Sequence, residues 1–506
     1  MDLIKKQIIN SYSYCKKKAS KNFEHQNFEQ SLNYIWMASQ IANNFNWIYS
    51  DLELEKLLKS ISDSLLNSTI SYEWTDNKRL VLYDSFSWDN KGLTQQYLRA
   101  FMSYDINFLY ITESSSSNKN SKTIFEELKA YDKAEIFEVP QNIERTKQIK
   151  IIYDKIISYK PSRLFMHLSP SAVSPITAFY ALPQQITIYQ INLTNHAFWL
   201  GSSCLDYSLE FCPRGCTLSK EKRGLNKQQL LLQPMHPIMS KSTFEGFPIE
   251  TTDKVVIFSG GAFYKVSGGD GEYFSLVKQI LNENQNVVFL FAGNGDSHII
   301  DDFIKKNKFE RRFILLGHRS DINEVFSHID IYMGTYPTGG GLMTQYAAMH
   351  GKPILNYKTK HEGLEVEEIV CQNINCKITF IDKKLFFIEA KRLINDVEYR
   401  DLKGVEVKAC LYTPEQFNET LFNTITTNQN QKKYQNVRIE YDNIFDQYVK
   451  NKNTIQNHKS FLIKNFKLQT LILFPRIFIW FIFFIFSKRG FQKVQNRLKV
   501  KMYRNK

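Results

Sequence analysis

Gly339, Gly340 and Gly341 stand in a row after Pro337 and Thr338, and the stretch that follows, Leu342–His350, contains neither glycine nor proline. Three glycines break regular structure and let a ligand approach the main chain. With a helix opening at Leu342, the N–H groups of Gly340, Gly341 and Leu342 lack intrahelical partners and form an anion site, for which a pyrophosphate is the natural guest. A side chain at Gly341 is expected to enter that phosphate path. A second pair, Gly260 and Gly261, permits close backbone approach, and the nearby Lys265 can neutralise a phosphate as a point charge. Imidazole is the side chain best suited to take a proton near pH 7. His196 lies in Thr194-Asn195-His196-Ala197-Phe198-Trp199-Leu200-Gly201, directly after an apolar run. Two readings of it stay open: a general base or acceptor-orienting group, and a histidine satisfied by backbone in a turn. Asp89 is the alternative carboxylate base and Asp206 a weaker one, while His236, in a proline-rich hinge, reads as structural. The seven cysteines match neither a common zinc spacing nor a CxxC pair, and no DxD-type motif is evident, so neither a metal nor a cofactor is expected.

These groups need elements to hold them. Ile329–Met333 alternates like a strand, Gly351 fits the position after a helix end with Pro353 just beyond, and Ile354–Tyr357 reads as the next strand. Strand, glycine loop, helix and strand make a right-handed crossover in a parallel sheet. Val255–Phe258, Val287–Ala292 and Arg312–Leu316 read as further buried strands. Earlier in the chain, Arg79–Asp84, Asn107–Thr112, Ala134–Val139, Arg163–His167 and Ile186–Leu193 alternate with helices at Thr94–Ser103 and Thr146–Ser158. This alternation predicts an α/β protein of two doubly wound domains, with ligands at the carboxyl ends of the strands. The expected division is a helical extension over 1–75, a first α/β domain over 76–245, a second α/β domain over 250–430 and a tail over 431–506. The tail is expected to open with a helix over Tyr434–Val449.

The stretch Gly334–Pro353, with Gly317-His318-Arg319-Ser320-Asp321-Ile322 before it, resembles the donor-binding half of GT-B glycosyltransferases. Its GGxxT-type loop and AxxxGxP ending are most similar to O-GlcNAc-transferase-like enzymes and to bacterial capsule or lipopolysaccharide transferases. The resemblance implies two Rossmann-like domains facing a cleft and a nucleotide-diphosphate sugar, a UDP-sugar favoured, as donor. It implies diphosphate contacts from Gly260, Gly261, Lys265 and the loop Thr338, Gly339, Gly340, Gly341, Leu342, Met343 and Thr344, and a nucleotide base beside Gly317 and Arg319. Many retaining enzymes of this fold carry two glutamates eight positions apart before the GxP. Thr338 and Tyr346 occupy those positions here, so the expectation is an inverting displacement, with any ribose contact coming from elsewhere, Glu362 or Glu365 being the guesses. A sugar-nucleotide 2-epimerase on the same fold and a noncatalytic membrane-bound partner of a transferase are the alternatives.

The chain has 506 residues, 43% hydrophobic and 23% charged, which is ordinary for a globular protein. Its net charge of +14 lies at one end: residues 447–506 hold 14 Lys and Arg with no Asp or Glu, leaving 51 basic and 51 acidic residues before them. A neutral body argues against a nucleic-acid groove and for one localised anionic partner. Within the tail, Leu471–Phe486 is an apolar run interrupted by Pro475 and Arg476. As a helix it reaches about 24 Å, short of a roughly 30 Å hydrocarbon core. A membrane-binding helix lying in the plane of an anionic membrane fits this better than a spanning one. With no signal-peptide h-region evident, the expected location is the cytoplasmic face of the cell membrane, where glycan, lipid-linked and protein acceptors are all within reach.

Overall fold

The computed structural model describes residues 2–66, 72–73, 78–89, 93–238, 242–359 and 366–439, residues 468–475, and a few isolated positions in the C-terminal segment. Three amphipathic helices come first: α1 (Asp2–Glu24), α2 (Phe28–Phe45) and α3 (Leu52–Leu65). Asn27 caps α2 and Asp51 caps α3 by accepting N–H bonds in the first turn. Their apolar faces, among them Leu32, Ile35, Ile41, Leu54, Leu58 and Ile61, share one core with the first sheet, so the extension is built into the body.

That sheet has seven parallel strands: β1 (Leu80–Asp84), β2 (Phe108–Thr112), β3 (Ala134–Glu138), β4 (Arg163–His167), β5 (Thr187–Ile191), β6 (Tyr207–Glu210) and β7 (Leu230–Leu232). Their order is β3-β2-β1-β4-β5-β6-β7, so the winding reverses between β1 and β4. Helices α4 (Thr94–Ser103), α5 (Lys122–Lys129), α6 (Arg145–Tyr159), α7 (Val173–Phe179) and α8 (Pro213–Arg223) connect them. A strand beside Asp206 is expected from CLDYSLEF and is β6; the three-residue β7 escaped the sequence reading because it is too short to show alternation.

The second sheet has six parallel strands: β8 (Val255–Gly260), β9 (Val287–Ala292), β10 (Phe313–Gly317), β11 (Ile331–Met333), β12 (Ile354–Tyr357) and β13 (Thr379–Phe380), in the order β10-β9-β8-β11-β12-β13. Helices α9 (Glu272–Glu283), α10 (His298–Asn307), α11 (Ile322–Ser327), α12 (Gly341–Met349), α13 (Val366–Val370), α14 (Lys383–Asn395) and α15 (Val397–Cys410) pack around it. Helix α16 (Pro414–Thr427), opened by a capping box at Thr413, returns to the first sheet. There Phe417, Leu421 and Ile425 join the core of Tyr97 and Phe101, with Tyr97 and Phe417 edge to face at 5.3 Å. The molecule is thus an α/β protein of two doubly wound parallel sheets with an N-terminal helical layer.

The helix expected over Tyr434–Val449 does not start as predicted. Residues 434–439 have no regular secondary structure, and Val437 donates its N–H to the Thr217 hydroxyl of α8 at 3.0 Å, an irregular path fixed by tertiary contact. Most of 440–450 lies outside the described residues. Of the apolar run Leu471–Phe486, Arg476, Ile477, Trp480, Phe481 and Phe484–Phe486 lie outside them too. The short helix α17 (Gln469–Leu473) anchors the run's start: Ser11 donates its hydroxyl to the Leu473 carbonyl, and the Phe474 ring lies 6.2 Å from Phe45. Among the described residues no helix is long and apolar enough to cross a membrane.

Candidate functional site

The glycine loop forms one wall. Gly340 is the N-cap of α12 and donates no side-chain cap of its own, so the first N–H groups of the helix are open to a ligand. At the other end Gly351 adopts a left-handed φ of 62°, the helix-stop geometry expected of it. The three glycines are not equivalent. A Cβ on Gly341 would meet Ile369 at 2.9 Å and one on Gly339 would meet Val366 at 2.9 Å, both under the loop. A Cβ on Gly340 faces the Lys265 Nζ at 3.5 Å. Of the three, Gly340 is the one that faces Lys265, whereas Gly341, expected to border a bound phosphate, packs over α13.

Lys265 sits in a 3₁₀ turn, Phe263–Val266, after β8. Its Nζ donates to the Gly339 carbonyl at 3.3 Å and its own carbonyl accepts the Thr338 N–H, which ties the two loops together. Burial lowers its pKa, and it has no carboxylate partner among the described residues. Gly261, at φ 148°, lies along the Lys265 chain, whose Cδ a Cβ at that position would meet at 3.2 Å. Gly260 and Met343 serve packing instead: the Met343 methyl occupies the space a Gly260 Cβ would need, at 2.4 Å. Thr344 returns both its N–H and its hydroxyl to the Gly340 carbonyl, at 3.1 and 2.9 Å, inside the helix. Leu342 packs against the core beneath α12, and the Thr338 carbonyl accepts the Thr335 hydroxyl.

The opposite wall is the loop after β5. Every residue from Ala197 to Ser202 is buried, and His196 alone in this stretch is exposed as a residue, although protein surrounds its ring closely enough to shift it. The loop is clamped. Arg223, the last residue of α8, donates to the carbonyls of Asn195 at 2.8 Å and Ala197 at 2.6 Å, one on each side of His196. Asn46, from the end of α2, donates to the His196 carbonyl at 3.0 Å, and Asn43 to the Phe198 carbonyl at 2.9 Å. Glu55 of α3 accepts the Gly201 N–H at 2.7 Å and the Tyr180 hydroxyl. Surrounding protein, and then the charges of Arg223, Arg214 and Lys265, push the His196 pKa down to about 4. Lys265 belongs to the other wall, so its effect on His196 places the two within electrostatic reach across the cleft.

Arg214 is the residue the sequence reading missed. It follows Pro213 in the first turn of α8, where the helix dipole disfavours a cation. Its N–H donates to Glu368 of the second domain at 2.7 Å, while its guanidinium, largely buried, makes no hydrogen bond to a described residue. An arginine in the first turn of a helix, against the dipole, was the one trace in the sequence; that its guanidinium is unpaired among the described residues shows only in the fold. Also unforeseen is the pair Asp84–His167 at the reversal of the first sheet, 3.0 Å apart with side chains 0% and 1% exposed. Burial works to raise the Asp84 pKa, but His167, Thr94 and the Phe86 N–H outweigh it and hold it below the usual value. Buried so completely, the pair fixes strand ends rather than meeting substrate.

Three expectations need correction. Asp89 accepts the N–H groups of Thr123 and Ile124, both at 2.9 Å, and so caps α5; both oxygens are committed. Arg319 is held by Asp321 through two bonds, at 2.7 and 2.5 Å, and by the Gly246 carbonyl at 2.7 Å. Its guanidinium therefore fixes the interdomain segment to the loop after β10 and is not available to a base, whereas Gly317, at φ 68°, turns that loop. Asp206 accepts the Ile188 N–H at 2.7 Å, a strand-end contact. His236 packs edge-on against Phe417 at 5.3 Å, and Glu362 and Glu365 lie outside the described residues. The seven cysteines are free thiols, and no group of metal-ligating side chains occurs among the described residues.

No family model matches the chain, and no curated protein matches its sequence. Solved structures do match its fold. A mutant O-GlcNAc transferase of Thermobaculum terrenum aligns over 86% of this chain and 85% of its own, with TM-score 0.51 and 12% identity. HepE of Anabaena, solved with UDP and glucose, aligns over 69% of this chain and 99% of its own, with TM-score 0.48 and 13% identity. A Listeria monocytogenes protein named as a candidate UDP-N-acetylglucosamine 2-epimerase aligns over 70% and 96%, with TM-score 0.49 and 11% identity. The chain has a GT-B-like fold: two doubly wound parallel sheets across a cleft, with a helical layer before them.

Proposed function

We propose that the protein is a glycosyltransferase that moves a sugar from a nucleotide-diphosphate sugar, a UDP-sugar favoured, to a glycan, lipid-linked or protein acceptor with inversion. The observation that carries this reading is the convergence of an uncapped helix N-terminus, two cations whose side chains have no carboxylate partner among the described residues, Lys265 and Arg214, and the imidazole of His196. Backbone N–H groups and fixed cations stabilise the charge that develops on a departing diphosphate. In the displacement, the acceptor oxygen bonds to the anomeric carbon as the bond from that carbon to the β-phosphate oxygen breaks, its electron pair leaving with the nucleotide diphosphate. His196, neutral at pH 7, takes the acceptor's proton. The absence of a carboxylate at Thr338 and Tyr346 supports inversion over retention.

The test is incubation with UDP-, GDP- and CDP-sugars, scored for donor hydrolysis, for transfer and for epimerisation at C2. Hydrolysis or transfer of one donor supports the proposal. An epimerised donor as the only product replaces it with the epimerase reading, and no binding of any nucleotide diphosphate leaves only the noncatalytic one. Attachment to an anionic membrane surface through residues 461–506 belongs to the same proposal. It is supported by the basic flanks and by exposed Leu468, Leu471, Ile472, Ile479, Ile482 and Phe483, which recur at helical spacing.

A further inference from the structure

A cavity of about 460 Å³ lies apart from the glycine loop, between α2 and the first sheet, within the size range of ligand sites. Every residue lining it comes from the helical layer or the first α/β domain. Its floor is the carboxyl ends of the strands where the winding reverses: Tyr83 of β1, Glu113 after β2, Val139 after β3 and Ser169 after β4. That reversal is where doubly wound sheets open a crevice for ligands. Its roof is α2, which contributes Asn33 and Trp36, so the site exists only because the helical layer is present.

The chemistry of the lining selects the guest. One oxygen of Glu113 accepts the hydroxyls of Tyr83 at 3.0 Å and Ser85 at 3.1 Å, and the other accepts no bond from a described residue. Arg145 donates its Nε to the Asn33 side-chain oxygen at 3.0 Å, leaving both terminal nitrogens and the Asn33 amide nitrogen without a described partner. The Arg145 guanidinium stands 5.7 Å over the Trp36 ring. Open donors and open acceptors thus alternate beside an indole. Two carboxylates, Glu29 and Glu113, face one guanidinium, which repels a phosphate. Hydroxyls that each donate and accept, on a ring with an apolar face, match this lining. We infer that the cavity is a second ligand site, for a neutral saccharide, completed by the N-terminal helices. Only the further step, that this saccharide is part of the acceptor, rests on the transferase reading of the cleft.

The test is ligand-observed saturation-transfer NMR on the full-length protein. The probes are the methyl β-glycosides of glucose, galactose and N-acetylglucosamine, each measured alone and with saturating UDP. UDP affinity is measured separately by calorimetry, so a failed donor site and a failed saccharide site are told apart. Expected is binding of at least one glycoside that UDP does not displace, that Asn33→Trp abolishes by filling the cavity, and that Glu113→Gln weakens at least fivefold. Both variants should keep wild-type UDP affinity. No glycoside signal, displacement by UDP, or unchanged binding in Glu113→Gln would overturn the inference; that last variant keeps its shape if Asn33→Trp fails to fold.

Discussion

At the scale of residues, the account separates groups that meet a ligand from groups that look alike but hold the fold. The side chains of Lys265 and Arg214 have no carboxylate partner among the described residues, whereas Arg319 is saturated by Asp321 and Gly246. A hydrogen bond to a charged group contributes about 1.5–3 kcal/mol. Lys265→Ala and Arg214→Ala should therefore each weaken UDP binding roughly 10- to 100-fold by calorimetry. Arg319→Ala should lower the melting temperature and leave the affinity of the folded protein alone. The glycines divide the same way. Gly340→Val should abolish UDP binding in a folded domain, because its side chain meets Lys265; Gly341→Val should strain the contact with Ile369 and act mainly on stability. Equal loss of affinity in Lys265→Ala and Arg319→Ala would contradict the division. For His196, a pKa near 4 means that the base is already deprotonated across the neutral range. The acidic limb of kcat/KM should lie well below the usual 6.5 and vanish with His196→Ala, which should cost about 10²-fold in turnover. A limb at 6.5 that survives the substitution would assign the proton to another group.

At the scale of elements, the helical layer acts on the cleft by holding its loops. Asn43 of α2, Asn46 at its C-terminal cap and Glu55 of α3 bind the main chain of the His196 loop at three points. Burial pushes the Glu55 pKa up to about 7, against an ordinary 4.5. Its folded pKa is raised, so the folded state favours the protonated acid. Stability is then greatest below pH 4.5, falls as pH rises towards 7, and is flat beyond. Glu55→Gln, which cannot ionise, should remove that dependence and raise stability above pH 7 by roughly 3 kcal/mol, read by denaturant melts at pH 5 and pH 8. A wild-type protein no less stable at pH 8 than at pH 5 would refute it. The sequence made the elements of the two sheets legible, since buried strands such as Val287–Ala292 carry continuous apolar runs. It also made the glycine loop legible, because three consecutive glycines stand out, although what requires two of them is crowding, a Cβ on Gly339 or Gly341 meeting Val366 or Ile369, and not a left-handed backbone. Arg214, the Asn46 clamp and the commitment of Arg319 and Asp89 were not legible. Each depends on which distant carbonyl or carboxylate a side chain meets, and periodicity reports a face without naming its partner.

At the scale of the molecule, two sheets, a returning α16 and a helical layer form a neutral body, and the positive excess follows it in the C-terminal residues. The buried start of the apolar run, at Leu473 and Phe474, fixes the tail to the helical layer while neighbouring apolar side chains face outward. Removing residues 461–506 should leave UDP affinity intact and abolish sedimentation with phosphatidylserine vesicles; sedimentation that persists would place the membrane contact elsewhere. The central claim, that the cleft holds a nucleotide diphosphate by its phosphates, is tested most directly by comparing UDP with UMP in calorimetric titrations of the full-length protein. The open N–H groups of α12, Lys265 and Arg214 leave the second phosphate most of the attraction. UDP should bind at least tenfold tighter than UMP, and Gly340→Val should erase the difference. Equal affinity for UDP and UMP, or a preference for UDP that survives Gly340→Val, would contradict the account.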